Sequence, residues 1–395
     1  MVSHTLALPS VDAELALAMK TPRHGSRRSF IRNVSTASAA MAVAPYVRTQ
    51  PAAERKLGVA LVGLGNYSTG QLGPALRLTK QCRLAGVVTG SRDKGLKWAR
   101  DYGFPESNVY HYDTMARIAD NKDIDIIYIV TPNALHPQHT IAAAWTRKNV
   151  ICEKPMANSV ADCDAMLRAC RVAGVKLAIG YRLHFEPQHQ EMMRLARDPN
   201  FGPFMRMKGG LAFPINRRVW RVEKAMAGGG PLMDIGIYCL QGACMAADTS
   251  GAAHPTFAPV AVTAREHPKK RPEFFLDVEE TIEWTMEFAN GAKAELITSY
   301  NMGMDHFRAE SEMGNWIEFQ PGFGYGGFRV ATNKGPLGIT PPQSQQALQL
   351  DGLAECFRDD KPIPVPGEMG RRDMVIIEAI YRSAAQGAKR VEVKV

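Results

Sequence analysis

Nowhere does this 395-residue chain run to the roughly 18 consecutive apolar residues that span a bilayer, so no stable membrane anchor is expected. Cysteine is sparse and unpatterned. Cys82, Cys152, Cys163, Cys170, Cys239, Cys244 and Cys356 are odd in number and lack CxxC spacing, which supports neither a disulfide framework nor a zinc site, and no metal is expected. Small buried hydrophobes are the plainer reading. Long basic runs and basic stripes interleaved with aromatics are also missing, so nucleic-acid binding is not indicated despite a net charge of +9. Part of that excess lies near the start, at Arg23, Arg27, Arg28, Arg32, Arg48, Arg55 and Lys56. A basic balance also suits an anionic ligand such as a dinucleotide.

What is present is a soluble globular composition, 45% hydrophobic and 22% charged, in a chain too long for one average core. Two domains are expected, at 57–180 and 181–395, behind a leader at 1–44 and a linker or arm at 45–56. Residues 26–32, Ser-Arg-Arg-Ser-Phe-Ile-Arg, followed by the mildly apolar Ala37–Ala44, read as a twin-arginine export signal. The expected partner is the twin-arginine machinery, which passes folded proteins, and the expected location is the periplasm. Ala42-Val43-Ala44 has the form of a cleavage site, although Pro45 follows it.

Leu57–Val62 is a short apolar run consistent with a buried parallel strand. Gly63-Leu64-Gly65-Asn66-Tyr67-Ser68 follows, where Gly63 allows a tight turn and Gly65 lets a diphosphate approach the N–H groups of the next helix. After the second strand, Arg83–Val88, no carboxylate occurs before Asp93. Ser91, Arg92 and Lys94 instead suit a 2′-phosphate, which favours NADP over NAD. Asp93 is also a candidate helix cap. Ile124–Val130 is a strand ending at Thr131-Pro132-Asn133, with His136 in the first turn of the helix beyond. Val150-Ile151-Cys152 is another, ending at Glu153-Lys154-Pro155, and Val175–Ile179 a further one. Ser159 and Asp162 open a helix that Gly174 ends. Alternating βα units imply a doubly wound parallel sheet with ligands at its strand carboxyl ends.

From Tyr181 the texture changes. Ile282, Trp284, Met286 and Phe288 alternate with polar residues, Asn290-Gly291 is a hairpin turn, and Ala292–Tyr300 returns. Met205–Lys208, Val260–Ala264, Phe307–Glu310 and Trp316–Phe319 are further strand candidates. An α+β domain with a large, mainly antiparallel open sheet is expected. Its exposed area favours a homo-oligomer. A final helix near Gly370–Gln386, with Ile376, Ile377, Ile380 and Ala384 on one stripe, is expected to pack back on the first domain.

Five stretches carry a resemblance: Val62–Gly65, Pro132–His136, Cys152–Ala157, Gly180–His184 and Ala227–Tyr238. Over residues 57–388 the chain resembles the glucose–fructose oxidoreductase branch of the Gfo/Idh/MocA dehydrogenase family, whose branch carries tyrosine at the position of Tyr238. The resemblance implies that Lys154 is the lysine of the EKP motif and Tyr238 the acid/base, and that Asp234 and Arg182 line a sugar site. It also implies tightly held NADP(H), oxidation of one sugar to its lactone and reduction of another to an alditol. Gln241 stands where the branch often has asparagine, and the arm before Leu57 is shorter than in the branch and lacks its long proline-rich stretch.

The chemistry agrees. Oxidising an aldose at C1 needs a proton acceptor in reach of the hydroxyl. A free phenol, with a pKa of about 10, is a poor base, and a neighbouring ammonium such as Lys154 favours the phenolate. Asp234 and Tyr238, four apart, share a face if helical. Trp220 and Arg221 lie on a polar loop where they can contact sugar, although a core tryptophan is an equal reading. Structural roles are equally open for His136 and His184. Two other functions use the same residues: an aldose dehydrogenase that releases NADP each turn, and a non-catalytic NADP-binding sensor, which needs no proton acceptor.

Overall fold

Six short apolar runs form the first layer of the computed structural model, which describes residues 55–250 and 257–395. The export motif and nearly all of the arm lie outside these residues. β1 (Leu57–Val62), β2 (Cys82–Val88), β3 (Val109–Tyr110), β4 (Ile126–Ile129), β5 (Asn149–Cys152) and β6 (Leu177–Ile179) pair in parallel in the order β3-β2-β1-β4-β5-β6. The helices between them are α1 (Gly73–Leu76), α2 (Arg92–Tyr102), α3 (His136–Trp145) and α4 (Val160–Ala173). Ser159 caps α4 by accepting the Asp162 N–H at 3.1 Å, and Gly174 ends it at φ 69°. Strand order reverses between β1 and β4, which opens a crevice outside their carboxyl ends.

β1 allows no side chain at its second position. A Cβ on Gly58 would lie 1.6 Å from the Asp123 carbonyl oxygen. Gly58→Ala is therefore expected to destabilise the fold by about 1–3 kcal/mol or more, read as a lower urea midpoint at unchanged slope.

The second domain is built on a nine-stranded sheet in the order β14-β13-β12-β11-β7-β10-β9-β8-β15. Its strands are β7 (Phe204–Ala212), β8 (Ala261–Glu266), β9 (Thr281–Glu287), β10 (Lys293–Ser299), β11 (Met304–Ser311), β12 (Trp316–Gln320), β13 (Arg329–Thr332), β14 (Gly335–Pro336) and β15 (Val391–Glu392). Ile282, Trp284 and Met286 face the core, and Gly291 turns the β9–β10 hairpin at φ 85°. All pairings are antiparallel except β7 with β10. β7 extends past Lys208, where sequence periodicity ends, because Gly209-Gly210 continues it: a Cβ on Gly210 would lie 2.7 Å from the Ile297 carbonyl oxygen. β13, β14 and β15 have four residues or fewer and give no usable alternation.

The remaining helices are α5 (Pro187–Leu195), α6 (Lys224–Ala227), α7 (Ile237–Ala247), α8 (Gln345–Arg358) and α9 (Gly367–Ala385). α7 is buried on every side, as an all-round apolar helix must be, and packs on β7, β10, β11, α5 and α9. α9 buries Ile376, Ile377 and Ile380 and returns to α4 and β6, with Arg371 Nε 2.6 Å from Asp164 Oδ1. All seven cysteines are buried and free.

Candidate active site

A cleft of about 750 Å³ opens at the carboxyl ends of β1 and β4 and is walled by both domains. Gly63 makes the first turn at φ 97°, and a Cβ there would come within 3.1 Å of the Val130 carbonyl oxygen. Ser68, buried in the position of the third glycine, closes the turn by donating to the Gly63 carbonyl at 2.6 Å. Gly65 faces open space, and the helical residues 66–76 begin beside it. An unobstructed glycine at a helix N-terminus fits a dinucleotide diphosphate. Leu64, Asn66 and Tyr67 line the same wall.

At the end of β2, Ser91 rather than Asp93 caps α2, accepting the Lys94 N–H at 3.4 Å. Asp93 lies in the first turn, where the helix dipole favours an acid. The Lys94 ammonium donates to the Leu64 carbonyl, and both Ser91 and Lys94 line the cleft. Arg92 does not. It is exposed outside the cleft, because residues three apart share a helix face and their neighbours turn away.

Thr131, Pro132, Asn133 and His136 follow β4 along the wall. Asn133 Nδ2 donates to the Ala227 carbonyl at 2.9 Å. Both His136 nitrogens face carbonyls, Nδ1 at 2.9 Å from that of Pro155 and Nε2 at 2.8 Å from that of Thr131, and the neutral ring donates to one of them. Burial pushes its pKa down to about 4 against those two acceptors. His136 is thus a brace for the Lys154–Pro155 turn. Glu153 is committed as well: it accepts from the Tyr128 hydroxyl at 2.6 Å, and burial pushes its pKa up.

Lys154, Asp234 and Tyr238 converge. Lys154 Nζ donates to the Asp234 carbonyl at 2.5 Å, lies 3.5 Å from Asp234 Oδ1, and sits 4.8 Å from the Tyr238 ring centroid. Asp234 belongs to a π-helical turn, Leu232–Gly236, that runs into α7, which places Asp234 and Tyr238 together on the cleft. Arg221 Nε lies 3.0 Å from Asp234 Oδ2, and the Tyr300 hydroxyl donates to that oxygen at 2.9 Å. Burial opposes the charged form of Asp234, but Lys154, Arg221 and Tyr300 together outweigh it and hold the pKa below the usual carboxylate range. Trp220 is half-buried in the cleft wall rather than in the core, with the Arg221 guanidinium 4.5 Å from its ring centroid.

Residues 57–181 match the oxidoreductase family with the NAD-binding Rossmann fold, and residues 189–318 match the GFO/IDH/MocA C-terminal domain. The chain belongs to the Gfo/Idh/MocA family of oxidoreductases. It is similar to the aldose-aldose oxidoreductase of Caulobacter crescentus, crystallised with glycerol, at 40% identity and a TM-score of 0.80, covering 86% of this chain and 100% of that one. It is also 27% identical to D-xylose 1-dehydrogenase [NADP(+)] of Haloarcula marismortui, over 85% of this chain and 93% of that protein. Levoglucosan dehydrogenase in complex with NADH shares the fold at 20% identity and a TM-score of 0.71, over 86% of this chain and 100% of that one.

In this Gfo/Idh/MocA oxidoreductase, Arg182 departs from the expected role. It follows β6 in a tight turn, is buried, and does not line the cleft. Its donors go to the Phe323 and Gly324 carbonyls at 2.5 and 3.1 Å and to Gln345. His184 also lies outside the cleft, with Nε2 2.9 Å from Gln241 Oε1, and burial pushes its pKa down to about 4. Gln241 in turn donates to Asp373, which anchors α7 one turn beyond Tyr238.

Tyr112, Phe213 and Tyr325 of the cleft wall, and Tyr300 buried behind it, carry little local sequence signal linking them to the site. Tyr112 stacks on His139 at 5.0 Å, and Phe213 and Tyr325 come from loops of the second domain. Tyr300, at the end of β10, is 66 residues from the carboxylate it contacts. Glycine-rich spacing at 322–327 was the one available hint for Tyr325.

Proposed function

We propose that this oxidoreductase holds NADP(H) and uses it to oxidise an aldose at C1 to the aldonolactone and to reduce a second sugar, fructose or another aldose, to its alditol. The observation that carries this reading is the convergence of the Lys154 ammonium, the Asp234 carboxylate and the Tyr238 phenol in a cleft whose glycine turn fits a diphosphate. The similarity to an aldose-aldose oxidoreductase and to an NADP-using xylose dehydrogenase supports it.

Gly63, Leu64, Gly65 and the helix behind them would hold the diphosphate, Ser91 and Lys94 the 2′-phosphate, and Tyr112 the face of the adenosine. Bound nicotinamide supplies hydride-accepting and hydride-donating chemistry. In the oxidising half, Tyr238 takes the proton of the C1 hydroxyl. In the reducing half it returns that proton to the acceptor's carbonyl oxygen. Lys154 orients the sugar oxygen and favours the deprotonated partner beside it. Asp234, kept ionised, holds Lys154 in place and accepts from a sugar hydroxyl, while Trp220 and Arg221 form the outer wall.

Incubation of the purified protein with glucose plus fructose, or with aldose pairs, and no added cofactor should yield lactone and alditol in equal amounts. Product only after NADP is added would instead identify a dehydrogenase that releases its cofactor. Lys94→Ala should weaken NADP binding by about 10–100-fold, as expected for a charge-assisted hydrogen bond, and leave NAD binding little changed; equal effects on both cofactors would reject the phosphate role.

We further propose that residues 26–44 direct folded export to the periplasm, so that replacing Arg27 and Arg28 by lysine should leave the protein in the cytoplasmic fraction. The outward face of the nine-stranded sheet, which carries the Lys208–Glu295 and Arg206–Glu310 pairs, is the surface proposed for self-association. Sedimentation would test it.

A further inference from the structure

A buried guanidinium lies against the proposed proton acceptor. The Arg182 charge centre is 4.8 Å from the Tyr238 ring centroid and 4.6 Å from that of Tyr325. No ion pair joins it to a carboxylate among the described residues, and its Nε is buried without a partner. A charge in such a place is costly unless its surroundings compensate it. Here the compensation comes from two aromatic faces, two backbone carbonyls and the Gln345 side chain. A planar fork suits that task as a lysine would not.

The two carbonyls belong to the segment 321–327, Pro-Gly-Phe-Gly-Tyr-Gly-Gly, which carries Tyr325 into the cleft wall. Glycine-rich chain loses much conformational freedom on ordering. Asp305 holds its amides, accepting from Gly322 and Phe323 at 2.7 Å each, and Arg182 holds its carbonyls. The loop is thus gripped through both polarities of its backbone, and one of the grips also contacts Tyr238.

We infer that Arg182 is a positioning residue: it locks the Tyr238 ring and the Tyr325 loop into one arrangement, and Tyr325 is the second wall of the sugar pocket so formed. This inference rests on the reading of Tyr238 as proton acceptor. Arg182 lies outside the cleft lining and acts through the two tyrosines.

The test uses the full chain with NADP, D-glucose and fructose, following lactone and alditol formation. Tyr325→Leu changes a cleft-wall side chain and tests the clamp even if Arg182→Met does not fold. Each is expected to lower kcat by about 10–100-fold, the effect of a small misplacement of reacting groups, with NADP affinity retained. The double variant should lose little more than either single one, because the residues act as a unit. Losses that multiply, or an unchanged kcat in Tyr325→Leu, would overturn the inference. A role confined to stability would lower the melting temperature and leave the kcat of the folded fraction intact, which also overturns it. Tyr238→Phe run alongside separates the two levels. If it keeps turnover, the underlying reading fails; if it loses turnover while Tyr325→Leu does not, only the clamp fails.

Discussion

Tyr238→Phe is expected to lower sugar oxidation by about 10²–10⁴-fold, the contribution of a positioned proton-transfer group. The substitution removes one oxygen and keeps the ring that rests against Lys154 and Arg182. α7 is buried throughout, and a phenyl ring fills the same space at its first turn. NADP binding, measured by titration, should therefore stay near its original value, and the melting temperature should change little. A variant that turned over normally would show that the hydroxyl takes no part in the reaction.

Lys154→Met is expected to be comparably damaging to turnover, for a different reason. It removes the cation that orients the substrate oxygen and retains a stem of similar length. Asp234 keeps two partners, Arg221 and the Tyr300 hydroxyl, so the carboxylate is not left alone in the site. The fold should survive near neutral pH, and kcat should fall by about 10²–10³-fold. The pH dependence of stability gives a second readout. The folded-state pKa of Asp234 lies below its ordinary value, so the group stabilises the fold above the unfolded pKa and that stability is lost as pH falls through the folded one. Lys154 is the largest of the effects that lower it. Without Lys154 the folded-state pKa rises toward the unfolded one, so the contribution is smaller and is exhausted at a higher pH, seen as an upward shift of the acid unfolding midpoint. An unchanged acid limb would mean that Arg221 and Tyr300 hold the carboxylate without help from Lys154.

Several parts of the molecule were legible before any coordinates. The parallel sheet shows in its runs of apolar residues because strands covered on both faces leave no polar positions. The Gly63 turn is legible because few other residues tolerate its positive φ. The β9–β10 hairpin follows from strict alternation and an Asn-Gly turn. Lys154 and Tyr238 stood out through the stretches that carry the family resemblance.

Distance along the chain hid the rest. Tyr300 and Asp234 meet only because β10 runs beside the π-helical turn, and nothing in their local sequences records that contact. Arg92 and Lys94 look equivalent in a list of basic residues; helix phase puts one in solvent and the other on the cleft. His136 has the composition of a ligand, but its two nitrogens face the Pro155 and Thr131 carbonyls.

Arg182 shows the division most clearly. Its sequence context marked it as important and could not say whether its charge faces the cleft or the interior. That depended on where the segment 321–327 folds, about 140 residues away, since its Phe323 and Gly324 carbonyls accept from the buried guanidinium. Local sequence by itself determined the strands, the glycine turn and the chemical groups on offer, because those depend on neighbours a few residues apart. Tertiary structure decided which charges pair, which phenols share a cation and which basic residues reach the cleft, because electrostatic partners are chosen by distance in space.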